Sequence, residues 1–193
     1  MNSATKDGKT KPGHGPRYLP GDPRPADSVQ RMIRVDQAGE FGATRIYAGQ
    51  HDVLRRTPSG PLIKHMAEQE QVHLDAFNKM LRERRVRPTL MTPVWHVAGY
   101  AMGAGSALLG EQAAMACTVA VEEVIDEHYA AQAERLGEDE ADLKATIEKF
   151  RQEEIEHRDI GYAEGAEQAP GYPVLTRAVK SASKLAIWLS ERI

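Results

Sequence analysis

The sequence contains one cysteine, Cys117, among its 193 residues. A single cysteine cannot form an intramolecular disulfide or a multi-cysteine zinc or iron–sulfur site, and it favours a reducing compartment. Any metal site must therefore be built from His, Asp and Glu side chains. A chain of this length can bury one sizeable core, but it is too short for two large domains.

An excess of one charge is also lacking, because 25 Lys and Arg residues against 28 Asp and Glu residues leave a net charge of −3. This balance argues against a nucleic-acid-binding protein. An apolar run of about 20 residues is absent, which argues against a transmembrane helix of normal length. The nearest approach, Val94 to Gly110, ends at Glu111. Since the first residues lack the apolar centre of a secretory signal, we expect a chain that stays in the cytoplasm.

Residues 1–27 contain five prolines, several glycines and few bulky apolar side chains. Such a segment buries too little apolar surface to offset the entropy of ordering it. The sequence therefore predicts a disordered tail over 1–27 and a single domain over 28–193.

From Ser28 onward, apolar residues recur at helical spacing and no segment alternates as a strand does. We predict one helix from an N-cap at Ser28 to a turn before Pro58, and a second over about 61–85. Two more follow, from about 111 to Leu136 and from about 139 to the region of Gly161–Gly165, and an amphipathic helix follows Pro173. An apolar, glycine-rich crossover at about 87–111 joins the two hairpins. This pattern predicts an all-α, ferritin-like four-helix bundle with two additional helices, in the crossover and at the C-terminal end.

The two predicted hairpins carry the same polar motifs in the same order. Glu40 precedes a Tyr-Ala-x-Gln sequence that starts seven residues later at Tyr47, and Glu122 precedes another that starts at Tyr129. In the following helix of each hairpin, a Glu-x-x-His-x-Asp sequence occurs, at residues 70–75 and 154–159. The chain therefore contains two copies of one helical unit.

Residues three apart on a helix share a face, so each Glu-x-x-His pair can direct one oxygen and one nitrogen to a common centre. Four buried carboxylates would repel one another, and two divalent ions supply the compensating charge. This ligand pattern is known from di-iron and di-manganese bundle proteins. The predicted ligands are Glu40, Glu70, His73, Glu122, Glu154 and His157.

Oxygen-rich ligation with one imidazole per metal suits Fe(II) or Mn(II), and we expect two iron ions. Asp36 and Asp126 each share a helix face with a ligand, and they either orient it or are solvated surface charges. Tyr47 and Tyr129 either line the site, with Tyr129 as a candidate catalytic residue, or only pack in the core.

Four stretches closely resemble the demethoxyubiquinone hydroxylase family of ubiquinone biosynthesis: RVDQAGE at 34–40, IYAGQ at 46–50, ACTVAVEE at 116–123 and EEIEHRDIG at 153–161. The resemblance covers about residues 28–193. It implies the same six iron ligands, with Glu70 and Glu154 as bridges. It also implies that dioxygen and two iron ions hydroxylate the ring of a demethoxy-ubiquinol, with NADH or the reduced quinol as the electron source.

A polyprenyl-quinone substrate dissolves in the membrane, so the resemblance implies a peripheral protein on the cytoplasmic face of a bacterial inner membrane, with an accessory protein of ubiquinone biosynthesis as a further partner. The aromatic and apolar residues of the crossover and of the last helix, which also carries Arg177, Lys180 and Lys184, are typical of interfacial anchoring. Alternatively, both segments only cap the core. Three alternative functions are a ferroxidase or iron-binding protein, a membrane-associated quinol oxidase and a metal-free structural bundle.

Overall fold

A computed structural model describes residues 25–193, and every regular element in that range is helical. The predicted tail over 1–27 lies, except for its last three residues, outside the described part. Six α-helices follow in chain order, with one-turn 3-10 helices at 138–140 and 166–168. Their bounds are α1 Pro25–Leu54, α2 Gly60–Glu83, α3 Thr92–Leu108, α4 Glu111–Arg135, α5 Ala141–Ala163 and α6 Tyr172–Ser190.

The first helix begins at Pro25, so the prediction of an N-cap at Ser28 was wrong. Proline suits the first turn of a helix, where its missing N–H has no partner to lose, and Asp27 in that turn complements the helix dipole. Ser28 instead accepts a hydrogen bond from Arg135 at 3.1 Å. Prolines also occupy the first turns of α2, α3 and α6.

Helices α1 and α2 pack as one hairpin and α4 and α5 as the other, while α3 lies along α1 and α6 along α4. The all-α, ferritin-like bundle with two additional helices is thereby confirmed. Glycines allow α3 to approach α1 closely, because a Cβ on Gly103 would collide with the carbonyl oxygen of Ile46. A Cβ on Gly99 would lie 2.9 Å from the carbonyl oxygen of Gly42. The crossover is therefore a firmly packed helix.

Within residues 25–193, two hydrophobic layers lie towards opposite ends of the bundle, and a third, smaller cluster packs α4 against α1 and α6. One layer includes Tyr47, Leu54, Ile63 and Met66 with the first half of α4. The other includes Ile33, Phe77, Tyr129, Leu143 and Phe150. The chain positions between these layers, near residues 40, 70, 122 and 154, carry buried polar side chains. Across the described residues, none of the helices combines the length and apolar character needed to span a bilayer.

Candidate di-metal centre

The structure brings all six predicted ligands together in the middle of the bundle. Each of the four central helices supplies at least one of them, and no side chain of the six is more than 4% exposed. The helix periodicity explains the gathering, since each Glu-x-x-His pair places both side chains on the inward face of α2 or α5. The six are Glu40 from α1, Glu70 and His73 from α2, Glu122 from α4, and Glu154 and His157 from α5.

The six side chains form two overlapping groups of four, each with ligand atoms within 4.8 Å of one another. One group consists of Glu40, Glu70, His73 and Glu154, and the other of Glu70, Glu122, Glu154 and His157. Glu70 and Glu154 belong to both groups. This shared membership agrees with the bridging role that the resemblance implies for them.

Several buried atoms in this cluster have no hydrogen-bond partner. They include both carboxylate oxygens of Glu70, Oε2 of Glu154 and Nδ1 of His157. Glu70 Oε1 lies 3.1 Å from His157 Nδ1, yet neither atom makes a hydrogen bond. Buried polar atoms are rarely left unpaired, and donors that converge in this way are what a metal ion requires. The residues present therefore fit a pair of divalent cations, whose charge would balance the four carboxylates.

The pKa values of the clustered carboxylates also indicate that the cluster favours bound positive charge. Burial, followed by the negative charges of Glu154 and Glu40, raises the pKa of Glu70 well above its ordinary value. Burial would also raise the pKa of Glu154, but the neighbouring imidazoles of His157 and His73 outweigh burial and lower that pKa to about 2. Among the four carboxylates of the cluster, Glu154 is thus the one whose negative charge the protein itself best stabilises.

The two tyrosines of the repeated motif bond to carboxylates of the opposite hairpin. Tyr47 donates a hydrogen bond to Glu122 Oε1 at 2.8 Å, and Tyr129 donates one to Glu40 Oε1. Burial raises the pKa of both phenols well above the ordinary value, so both remain protonated donors. The structure therefore places each tyrosine against a predicted ligand, and a catalytic role for Tyr129 stays a prediction.

The glutamines of the same motif make a second pair of buried contacts. Gln132 donates to Asp36 Oδ1 at 2.7 Å, and His128 lies 3.4 Å from the same oxygen. Gln50 donates to the carbonyl oxygen of Ala114 at 3.0 Å. Asp36 is therefore a buried hydrogen-bonded group one helical turn from Glu40, and the alternative of a solvated surface charge is wrong for this residue.

The other three aspartates that the motifs contain or adjoin lie outside the cluster. Asp126 forms ion pairs with Arg151 at 2.5 Å and with Arg158 at 3.6 Å. Asp75 is exposed and accepts a hydrogen bond from Gln71, and Asp159 pairs with the neighbouring Arg158. These contacts stabilise helix surfaces, and they do not orient a ligand.

Two further polar side chains, Glu153 and Gln69, contact the outer nitrogens of the histidines, and sequence reasoning missed both. Glu153 Oε2 lies 2.6 Å from His73 Nε2, and Gln69 Oε1 lies 3.0 Å from His157 Nε2. The one available signal was their position, directly before the Glu of each Glu-x-x-His pair. That position faces the partner hairpin, so the contact depends on how α2 and α5 pack.

An apolar cavity of about 130 Å³ lies between α1, α3, α4 and α6, and none of the six predicted ligands lines it. Its wall includes Gly39 and Val121, the residues directly before Glu40 and Glu122. A cavity of similar size, about 150 Å³, holds a benzene molecule in an engineered protein. At one side, Trp95 of α3 donates a hydrogen bond to Ser190 of α6 at 3.0 Å. The helices that carry Glu40 and Glu122 therefore also line an apolar space large enough for a six-membered ring.

Comparison with known proteins supports the resemblance. The family model described as "Ubiquinone biosynthesis protein COQ7" matches residues 27–190. The chain belongs to this family. All six predicted ligands and both motif tyrosines lie within the matched range.

Curated relatives are similar over most of their length. The 3-demethoxyubiquinol 3-hydroxylase of Rhodospirillum rubrum is 62% identical over 176 residues, which cover 91% of this chain and 83% of the relative. The mitochondrial NADPH-dependent 3-demethoxyubiquinone 3-hydroxylase of Homo sapiens is 52% identical over 86% of this chain and 78% of its own. The mitochondrial 5-demethoxyubiquinone hydroxylase of Saccharomyces cerevisiae is 42% identical over 95% and 86%, respectively.

Proposed function

We propose that this chain hydroxylates the ring of a demethoxy-ubiquinol or demethoxy-ubiquinone in ubiquinone biosynthesis, using dioxygen and two iron ions. The observation that carries the proposal is the buried set of four carboxylates and two imidazoles, arranged as two overlapping groups that share Glu70 and Glu154. When bound, a pair of iron ions supplies the activation of dioxygen that a ring hydroxylation requires. Oxygen and imidazole donors in this ratio suit Fe(II).

The protein residues have three tasks in this proposal. Glu40, Glu122 and the two Glu-x-x-His pairs hold the ions, and six ligands shared by two metals leave coordination positions open. Tyr47 and Tyr129 hold the carboxylates of Glu122 and Glu40 through buried hydrogen bonds. The hydrophobic layers above and below the cluster exclude water from it.

The apolar cavity is the proposed site of the quinone ring. Its lining includes Gly39 and Val121, the chain neighbours of the predicted ligands Glu40 and Glu122, so a ring bound there would lie against the two helices that hold these ligands. The same cavity separates this proposal from a ferroxidase or iron-binding protein, because an apolar space beside the centre suits an organic substrate and not a hydrated ion. The polyprenyl tail would leave between α3 and α6.

The proposed reaction also requires an electron source. The resemblance implies NADH or the reduced quinol, whereas the name of the human relative specifies NADPH for that enzyme. We therefore propose a reduced nicotinamide nucleotide as the ultimate electron source. Stopped-flow reduction of the iron-loaded protein by NADH and NADPH, with and without quinone, would identify the direct donor.

Iron binding tests the centre itself. Anaerobic reconstitution of the full chain with Fe(II) is expected to give about two equivalents per chain, and less than half an equivalent would reject a di-metal centre.

Deletion of the gene tests the reaction. A strain that lacks the gene for this chain is expected to accumulate the demethoxy precursor, and a normal quinone profile would reject the hydroxylase. If the protein bound iron and the quinone profile of the deletion strain were normal, the membrane-associated quinol oxidase would be the better hypothesis.

A matched pair of variants on α5 sharpens this test. Glu154→Ala removes a predicted bridge and is expected to abolish both iron binding and complementation of the deletion strain. Glu156→Ala, two residues later on the exposed side of the same helix, is expected to retain both. Circular dichroism should show similar helix content for the two variants, and retained activity in Glu154→Ala would remove that residue from the site.

We also propose that the outer faces of α3 and α6 bind the membrane surface on the cytoplasmic side of a bacterial inner membrane. Large apolar side chains are exposed on both helices, and Arg192 stacks over Trp188 with its guanidinium carbon 4.2 Å from the ring centre. Apolar groups beside basic ones are typical of interfacial anchoring. The large apolar residues exposed on these two helices are Val94, Val97, Leu108, Val174, Leu185 and Trp188.

Co-sedimentation with vesicles of mixed neutral and anionic phospholipids tests this surface. The double variant Leu185→Ser, Trp188→Ser is expected to bind at least tenfold more weakly than the unaltered chain, because both side chains are half exposed and apolar. Val72→Ser, which removes an exposed apolar side chain from α2, should leave binding unchanged. Equal binding by all three proteins would contradict the proposal.

The accessory protein that the resemblance implies stays a prediction, which co-purification from the native host would test.

A further inference from the structure

The two halves of the cluster match in every predicted ligand but differ in the group behind each histidine. In the first half, Gln69 directly precedes Glu70, and in the second half Glu153 directly precedes Glu154. Each of these residues reaches across to the histidine of the other hairpin. The outer nitrogen, Nε2, of one imidazole therefore contacts a carboxylate, and that of the other contacts a neutral amide. We call these imidazoles carboxylate-backed and amide-backed, respectively.

Glu153 and His73 form the carboxylate-backed pair. His73 Nδ1 faces the cluster, 3.0 Å from Glu154 Oε1 and 3.6 Å from Glu40 Oε2, while Nε2 lies 2.6 Å from Glu153 Oε2. The ring stacks on Phe150 with 4.1 Å between centroids, which fixes its plane. Lys149 also approaches Glu153 at 3.5 Å, but its side chain is largely exposed and its charge is screened by water.

Gln69 and His157 form the amide-backed pair. His157 Nδ1 faces Glu70 and Glu154 at 3.1 and 3.2 Å, while Nε2 lies 3.0 Å from Gln69 Oε1. A neutral amide oxygen accepts the same hydrogen bond, but it adds no negative charge to the imidazole. A carboxylate at this position makes the ligating nitrogen more basic and strengthens its bond to a metal.

We propose that the metal position beside His73 binds a divalent cation before, and more tightly than, the position beside His157, because Glu153 backs His73 and Gln69 backs His157. Glu153 is then a positioning residue that acts on the metal through His73. The inference rests on the di-metal centre proposed above and adds an order of filling to it. Loss of such an outer carboxylate typically weakens metal affinity by about 10–100-fold.

Exchanging the two groups tests the proposal on the full chain. Mn(II) is the probe, because it can be titrated without oxidation and its electron paramagnetic resonance signal distinguishes single ions from coupled pairs. Calorimetric titration of the unaltered protein is expected to show a tight step and a weaker step. Glu153→Gln should weaken the tight step about 10–100-fold and leave the other within about threefold, and Gln69→Glu should tighten the weaker step.

The resonance spectrum at one equivalent of Mn(II) supplies a second readout. The unaltered protein should hold mostly single ions, whereas Glu153→Gln should show coupled pairs beside empty protein. Glu148→Gln, the same change at an exposed position of α5, should behave as the unaltered protein. Equal weakening of both steps in Glu153→Gln, or no weakening, would overturn the order of filling while leaving the di-metal centre standing. Failure of the unaltered chain to bind two ions would overturn both proposals.

Discussion

The hydroxyl group of Tyr129 on α4 donates a hydrogen bond to Glu40 on α1, and the reciprocal bond runs from Tyr47 on α1 to Glu122 on α4. Each long helix thus supplies one predicted metal ligand and the donor that holds the ligand of the other helix. Because all four side chains are buried, these two bonds connect the halves of the bundle through the site itself.

Removing either tyrosine hydroxyl should therefore destabilise the metal-free protein. Tyr129→Phe keeps the ring but leaves a buried carboxylate oxygen without its donor, which costs about 1–3 kcal/mol of the free energy of unfolding. Tyr47→Phe should have a similar effect through Glu122. Urea denaturation of the metal-free variants measures both.

Tyr100→Phe is the matched control, because Tyr100 also bonds to a carboxylate, Asp52, at 2.8 Å, but at the surface. Its free energy of unfolding should equal that of the unaltered protein within error. If the free energy of unfolding fell as much in Tyr100→Phe as in Tyr129→Phe, the burial of the hydrogen bond would not explain the loss of stability.

The repeat in the sequence correctly predicted that these six side chains come together, and for a physical reason. Helical periodicity fixes which side chains share a face, so Glu70 with His73 and Glu154 with His157 were placed correctly relative to each other from spacing alone. The fold class followed from the same periodicity. The start of α1 was missed, because a proline in the first turn and a proline in a tail have the same local signature.

The partners across the bundle could not be derived from spacing. Glu153 contacts His73, which is 80 residues away in the sequence, and Gln132 reaches Asp36 over 96 residues. Such contacts depend on the rotation of each helix about its own axis. That rotation is determined by packing, such as the close approach of Gly103 to Ile46, and the periodicity of one helix carries no information about it.

Gly103→Ala should destabilise the bundle, since the added Cβ would collide with the carbonyl oxygen of Ile46 and force α3 away from α1. Overpacking of this kind costs about 1–3 kcal/mol, and it outweighs the gain in helix propensity. Gly105→Ala, two residues later, meets no atom within 4 Å and should stabilise the protein by about 0.5–1 kcal/mol. Thermal denaturation monitored by circular dichroism measures both, and a shift in the same direction for the two variants would contradict the close packing.

Cys117 gives a prediction about pH. Burial raises the pKa of its thiol to about 12, whereas the thiol of an unfolded chain ionises at about 8.5. Between these values the folded protein retains a proton that the unfolded chain has lost, so stability falls as the pH rises. From about pH 9 to 11, the unaltered protein should lose stability more steeply than Cys117→Ser, by about 1.4 kcal/mol per pH unit. Parallel pH profiles from urea denaturation would contradict this assignment.

The apolar cavity gives the prediction that links structure to substrate. Ala186 on α6 lines the cavity, and replacing it by Phe would fill the space proposed for the quinone ring. Because Ala186 is not one of the six predicted ligands, Ala186→Phe should still take up about two equivalents of Fe(II). Hydroxylation of a short-chain demethoxy-quinone should fall at least tenfold, with the apparent KM raised, since the ring must compete with a protein side chain for the same volume.

Ala178→Phe is the control for this change, because Ala178 lies two turns earlier on the same helix, is exposed and does not line the cavity. It adds the same aromatic ring to α6 and should leave turnover and KM close to those of the unaltered protein. If Ala186→Phe turned over the quinone at the unaltered rate, the ring would have to reach the metal pair by another route. Loss of iron from Ala186→Phe would also contradict the prediction, because filling a substrate cavity that contains none of the six ligands should leave metal binding intact.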